Sequence, residues 1–500
     1  MFNQGIDRQP AYSFIRESKE WATRTVTFGA IGHAYQPPRK IFMPDGQKPF
    51  DMSFDSGDGG VNGRIFRETY GPILADRQRG IPPHLVFSFY PTIREWIKKE
   101  RPGDYEIIKK NISALPKREK EYNVLGDPFL HIILPLIPEG DQDMLMRMGR
   151  QAFQEDFGFM PKGVWFPETA VSKKTLEMAN KAGYIFAVLR DTQLEGIGSR
   201  RLDPFADSHN PVSVKLDNGR EMAIVHFDSG TSSVVSFDGD QTNRMQDFFD
   251  HIFSGRRNHE TVLTGTDLEL YGHHKHGKEF FLRYALETAE KRNYRKALRA
   301  VNATGYLQAS FDLFPFSLRD RLQKKEKTYD TLRDMTSWSC ENGHNLGRWT
   351  GHCDCDHPSD RVNIEKQRLY NTLRQYNNEI NQALTTVFGT EPSWREAFAK
   401  TFLNVRGKVF NGENFLKDLR KQVNGNEQLY RLFGAKIYTL LGFTSCGWFF
   451  GDEQRMEREL TQNMVEAVRF MMPTEEKIVA WTNNKIGLRR LVDWVKGVNV

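Results

Sequence analysis

Cysteine is scarce in this chain: four residues in 500, all after position 339. So few cysteines exclude a disulfide scaffold and fit a reducing compartment, so cytoplasmic residence is expected. Long apolar runs are missing as well. None reaches the length of a membrane-spanning helix, so no membrane partner is expected. The opening residues MFNQGIDR lack a basic start followed by an apolar core, which argues against a secretory signal. Charge of one sign is not concentrated either. Seventy Lys and Arg face 64 Asp and Glu, a net charge of +6, with no basic block of the kind that grips nucleic acid. Internal repeats and low-complexity stretches are also lacking.

What is present is length, aromatic content and a change of pattern along the chain. Five hundred residues exceed one ordinary domain. The 36 Phe, 16 Tyr and 9 Trp suit stacking on flat apolar ligand faces, although most such rings serve the core. Short β-like runs recur at residues 25–31, 84–89, 129–136, 163–166, 184–189, 222–227 and 262–266. Residues 212–216 are expected to pair with the sixth run through an Asn218-Gly219 turn. Helical stretches lie between several of these runs, such as 141–157 and 173–182, the latter stopped by Gly183. Alternating strands and helices imply an α/β fold with a parallel sheet, and about seven strands favour a (β/α) barrel. After about residue 279 helical periodicity takes over, at 281–299, 307–324, 361–386, 414–432, 455–472 and 475–495. The expected organisation is a barrel over 1–290 and an α-helical C-terminal domain over 291–500. An irregular Trp/Cys-rich loop of the second domain would reach the site of the first.

Barrel and open α/β folds bind ligands at the carboxyl ends of strands. The run Gly163-Val164-Trp165-Phe166-Pro167 stops at Glu168, and Val262-Leu263-Thr264-Gly265-Thr266 stops at Asp267. Other runs end at His33, at Arg190 and Asp191, and at Asp228. Any one polar strand end can be a cap. Several on one rim suggest a site, and two carboxyl groups in different environments are what glycoside hydrolysis needs. Glu269 lies two residues beyond Asp267, where a neighbouring carboxylate raises the pKa of Asp267 and keeps a proton available.

At these residues the sequence resembles glycoside hydrolase family 57, as a divergent family-57-like subgroup. His33-Ala34-Tyr35-Gln36-Pro37 resembles the first family motif, His-x-His-Gln-Pro, with Tyr35 in place of the second His. Trp165-Phe166-Pro167-Glu168 meets the third in full. Asp267-Leu268-Glu269-Leu270-Tyr271-Gly272-His273 is similar to the fourth. The second motif is not recognisable, and the fifth reads Ser445-Cys446-Gly447-Trp448, without its aspartate. The resemblance implies a seven-stranded (β/α) barrel with a helical domain behind it. It implies a retaining carbohydrate-active enzyme on α-glucans, by hydrolysis or by glucanotransferase or branching-type transfer. It casts Glu168 as nucleophile and Asp267 as general acid/base. His33, Gln36, Trp165, Asp228, Glu269 and His273 are expected to shape the substrate site.

The irregular stretch 337–358 supplies Trp338 and Trp349, which Trp448 joins if the chain folds back, and Trp faces stack on sugar rings. Cys340, Cys353, Cys355 and Cys446 are zinc-ligand types, but their spacing follows no zinc-finger pattern. Buried free thiols are the expectation, with no metal and no cofactor. The cluster His273-His274-Lys275-His276 is read as a solvated or substrate-facing loop. Two alternatives stand beside the glycosidase. One is a metal-dependent polysaccharide deacetylase using His33, Asp267 and His273 or His276. The other is a catalytically altered glucan-binding protein.

Overall fold

The computed structural model describes residues 25–45, 47, 50–52, 59–117, 119–195, 211–238, 245–253, 261–291, 312–323, 328–329, 332–340, 345–355, 357–452 and 456–472. The expected helix at 475–495 lies outside these residues, as does the 292–299 part of the one expected at 281–299.

Strand Thr25–Ala34 is the centre of the first sheet. It pairs in parallel with Thr261–Asp267 on one side and Val86–Phe89 on the other, and Val124–Leu125 continues beyond the latter. The register sets His33 opposite Asp267 across one ladder and opposite Ser88 across the other. The second sheet runs Thr328–Tyr329, Val212–Lys215, Glu221–Phe227, Phe186–Arg190, Gly163–Trp165. The expected hairpin is present: Val212–Lys215 is antiparallel to Glu221–Phe227, and Gly219 takes φ +79° in its turn. The sheets meet at two seams. One is a single parallel bridge between Gly126 and Val164, and the other a hydrogen bond from Asp228 N to Leu263 O of 2.8 Å. Regular pairing stops there, so the strands do not form one unbroken ladder.

Between the sheets lies an apolar cluster with one contribution or more from seven strands: Ile31, Val86, Leu125, Trp165, Val188, Val225 and Leu263. Each is within 1% of complete burial. Continuous apolar runs are what strands covered on both faces require. Helices Glu139–Phe157, Lys173–Lys181 and Lys278–Glu290 pack outside.

Two readings of the sequence change. Residues 129–136 form no sheet strand. Pro128 and Pro135 remove ladder donors, Leu134–Leu136 is a 3₁₀ turn, and His131 O accepts instead from Ser445 N at 2.7 Å. Residues 312–315, expected as helix, form a strand parallel to Thr25–Ala34, which carries the sheet region past residue 290.

From Gly347 on, every described element is a helix. The longest, Asp360–Phe388, starts where Ser359 Oγ accepts from Val362 N and ends at Gly389, φ +79°. The expected helix over 414–432 is instead two, Leu416–Gln422 and Glu427–Gly442, separated by left-handed Asn424 and Gly425. Among the described residues no helix is long and apolar enough to cross a membrane.

Candidate active site

A cavity of about 470 Å³ opens at the carboxyl ends of the strands. Its lining comes from both halves of the chain: His33, Gln36, Glu168, Asp267 and Glu269 from strand ends, Trp338 and Ser339 from the irregular stretch, and Ser445 and Cys446 from the helical part. The two acids singled out from sequence thus face one space.

Glu168 is placed by a strained turn. Pro167 follows the strand Gly163–Trp165, and Glu168 and Thr169 both take left-handed φ, +54° and +49°. Non-glycine residues hold this conformation only where the surroundings impose it. Here Gln193 Nε2 donates to Thr169 O (2.9 Å), Thr169 Oγ1 donates to Gln193 Oε1 (2.8 Å), and Trp338 N donates to Thr169 Oγ1 (3.0 Å). The turn aims the carboxylate at two donors, Trp338 Nε1 at 2.8 Å and Ser339 Oγ at 2.9 Å, both on Oε2. Burial raises the pKa of Glu168, and these hydrogen bonds with the nearby Arg348 charge only partly offset it.

Asp267 ends its strand and opens into the cavity. Its exposed surface faces this walled space, and burial there combines with the Glu269 and Glu168 carboxylates to push its pKa well up. Glu269 is tied down by the Tyr70 hydroxyl, by Gln36 Nε2 at 3.0 Å and by Tyr35 N at 3.3 Å. Gly265 stands beside them because a Cβ there would lie 2.4 Å from the Phe227 ring.

His33 is held as a neutral ring. Its Nδ1 meets Ser88 Oγ at 2.7 Å, as the register requires, and its Nε2 meets His131 Nε2 at 3.3 Å. Burial lowers its pKa to about 3. His131 in turn meets Ser445 Oγ through Nδ1 at 2.5 Å and stacks on Tyr35 at 3.8 Å. Sequence reasoning passed over His131, although a lone imidazole inside an apolar run was its signal. The two departures from the motifs touch each other: the Cys446 thiol and the Tyr35 hydroxyl are 3.4 Å apart.

Several expected site residues stand elsewhere. Trp165 is fully buried beneath the cavity, stacked on His33 at 5.1 Å, and does not line it. Asp228 caps the helix Ser229–Phe237 by accepting from Thr231 N, the bland role open to any strand-end acid. His273 pairs with Glu68 (2.6 Å), and of the 273–276 cluster it is His274 that lines the cavity. Trp349 and Trp448 are core residues. Trp448 donates to Gly442 O at 2.9 Å, and both flank a small apolar gap with Tyr370. Of the three tryptophans only Trp338 reaches the cavity. Exposed Phe237, 86% accessible, stands at its mouth and was not anticipated.

Cys446 is also separated from the other thiols. Cys340, Cys353 and Cys355 lie together, with Cys353 and Cys355 joined as a disulfide, so the set is neither four cysteines nor all free thiols. Among the described residues this is the cluster whose ligand atoms are close enough to share an ion. His33, Asp267 and His273 do not converge in that way, because His33 is engaged at both ring nitrogens and His273 is turned to Glu68.

Comparison with known proteins places this geometry. The sequence profile described as "Glycosyl hydrolase family 57" matches residues 30–307, more than half of the chain. "Alpha-amylase 1" of Dictyoglomus thermophilum is 22% identical over 144 residues, 28% of this chain. The match spans only 20% of that relative's length. An exo-type maltose-forming amylase from Pyrococcus sp. ST04 superposes with TM-score 0.64 at 14% identity, over 93% of this chain and 82% of that one. A branching enzyme from Pyrococcus horikoshii gives TM-score 0.54 at 14% identity, over 95% of each chain. At such identities these similarities concern the fold.

Proposed function

The chain belongs to glycosyl hydrolase family 57, and from that premise we propose that it is a retaining enzyme acting on α-glucans, with Glu168 as nucleophile and Asp267 as general acid/base. The observation that carries the reading is the unequal setting of two carboxyl groups on one cavity. Glu168 receives two hydrogen bonds and feels the Arg348 charge, all of which favour its anion. Asp267 faces two other acids, which favours its protonated form. One anion to attack an anomeric carbon and one proton for the leaving oxygen are the two parts of double displacement. Water then attacks the glycosyl-Glu168 ester for hydrolysis, or a sugar hydroxyl does so for transfer, and Asp267 takes the proton.

The structure-bearing elements fit a seven-stranded (β/α) barrel, with its two sheets as arcs closed at the Gly126 and Asp228 seams. The seven-strand apolar cluster supports this. Residues 1–290 supply all but one strand of that unit's first sheet, and residues 291–500 supply the helical part and the Trp338 wall. Phe237 at the mouth offers a face for a sugar ring. Three donors, the Tyr70 hydroxyl, Gln36 Nε2 and Tyr35 N, fix Glu269 Oε1, so that Glu269 and Gln36 present polar edges to sugar hydroxyls in the cavity they line.

The test is incubation with maltooligosaccharides and glycogen, with chromatography of both shortened and lengthened products. Glu168→Gln and Asp267→Asn should each lose turnover by at least about 1,000-fold while keeping the circular dichroism of the parent. Full activity in either variant would refute its assignment. Glucan retention by the parent with no product over long incubation would favour the altered glucan-binding protein.

A further inference from the structure

Three of the four cysteines in the chain meet in one place, although they are separated by up to 15 positions. Their sulfurs lie within 4.8 Å of one another. A disulfide between Cys353 and Cys355 encloses a single residue, so it constrains the unfolded chain very little. Nor does it explain why Cys340, 1% exposed, is brought to the same point.

We propose that Cys340, Cys353 and Cys355 form a thiolate site for one zinc-class ion when the chain is reduced. The Cys340 and Cys353 sulfurs are 3.9 Å apart. Two thiolates sharing a tetrahedral zinc, each about 2.3 Å from it, stand about 3.8 Å apart. Cys355 N donates toward Cys353 Sγ at 3.1 Å, a hydrogen bond that favours negative sulfur. The backbone around the sulfurs is tightly set. Asn345 and Leu346 are left-handed, and a Cβ on Gly347 would lie 2.7 Å from His352 O and 3.1 Å from Cys353 Cβ. The helix Asp360–Phe388 holds the same backbone, with Lys366 donating to Arg348 O (3.0 Å) and Gln367 to Gly351 O (2.7 Å), so Cys353 and Cys355 are presented on a fixed frame, as a metal site requires. Among the described residues these three sulfurs are the ligand atoms close enough to share the ion, and His352 turns its Nδ1 to Thr350 Oγ1.

The chemistry balances in two steps. A dithiol reductant gives two electrons and two protons to the Cys353–Cys355 bond and becomes a disulfide itself, leaving two thiols. These two and Cys340 then release three protons as they bind the ion. The site adjoins the candidate catalytic cavity through sequence, since Ser339 and Trp338, which grip Glu168, directly precede Cys340. It does not depend on what that cavity turns over.

The experiment uses the full chain, reduced with dithiothreitol and freed of it under argon. Elemental analysis after dialysis against Zn²⁺ should find one zinc per chain, and Co²⁺ should give a sulfur-to-cobalt charge-transfer band. Cys340→Ser and Cys355→Ser should lose both signals, and Cys446→Ser should keep them. Should the serine variants fail to fold, thiol titration of the parent decides. Zinc should shield three of its four thiols from an aromatic disulfide reagent. Four thiols reacting alike with and without zinc, or no retained metal in the reduced parent, would overturn the proposal.

Discussion

At the scale of single residues, the carboxylate of Glu168 owes its character to Trp338. The indole N–H and the Ser339 hydroxyl share Oε2, in surroundings where burial alone drives the acid toward its neutral form. A hydrogen bond to a charged group contributes about 1.5–3 kcal/mol. Trp338→Phe keeps the ring against Trp165 and Phe227 but removes that donor. The Glu168 pKa, already raised, then rises further. In its proposed role as nucleophile Glu168 must be ionised, so the acidic limb of the kcat profile should move to higher pH. Turnover on the acid side should fall roughly 10- to 100-fold, converted from the same energy range. The place of Glu168 and Asp267 on one cavity was legible in the sequence because an apolar run that stops at an acid has a physical meaning in an α/β fold. Trp349 and Trp448 were misread for an equally physical reason: a tryptophan in irregular chain serves as core as readily as ligand platform, and only burial separates the two. His131 was missed because its partner, Ser445, is 314 residues away.

At the scale of elements, the turn from Phe166 to Thr169 shows how strain and position are linked. Two successive left-handed residues cost of order 1–3 kcal/mol each unless something holds them. Gln193 does so, joining Thr169 to the end of the neighbouring strand through Arg190 N (3.0 Å). Gln193→Ala removes the amide that receives and gives these bonds inside the protein. Stability should fall by about 1–3 kcal/mol, read by chemical denaturation. Turnover should fall as well, with KM nearly unchanged, because the aim of Glu168 and not the sugar contacts is lost. Unchanged kcat in a destabilised variant would separate the clamp from the chemistry. Sequence pattern located the strand and its terminal acid but not this clamp. Backbone strain leaves no mark on hydrophobic periodicity, and a glutamine two residues past Asp191 looks like any loop residue. The same limit applies to residues 312–315, whose pairing with the Thr25–Ala34 strand is a long-range event.

At the scale of the whole molecule, the helical part is joined to the sheet region by a buried charge cluster. Lys436 and Asp141 are both completely buried, 2.8 Å apart, with Asn377 and Asn381 bonded to both and Arg395 beside Asp141 at 3.4 Å. Asp141 lies in the first turn of Glu139–Phe157, which packs outside the sheets, whereas Lys436 lies in Glu427–Gly442. The cluster therefore sets how the helical part sits, and with it the position of Ser445 against His131. Burial pushes the Asp141 carboxyl up, but the Lys436 charge and its hydrogen bonds more than reverse this, and its pKa ends below the usual carboxylate value. Burial also outweighs the pairing for Lys436, whose pKa is lowered. On the acid side it is Asp141 that takes up a proton. A depressed carboxyl pKa contributes stability above the unfolded value, near 3.9, that is lost as pH falls through the folded value. Lys436→Met fills the space but strands the Asp141 charge, a loss of about 3–5 kcal/mol for a buried pair. Urea unfolding should show that deficit at neutral pH. It should shrink in acid, where Asp141 is protonated in parent and variant alike. A deficit that stays constant down to acid would mean that the methionine fails by packing and not by charge.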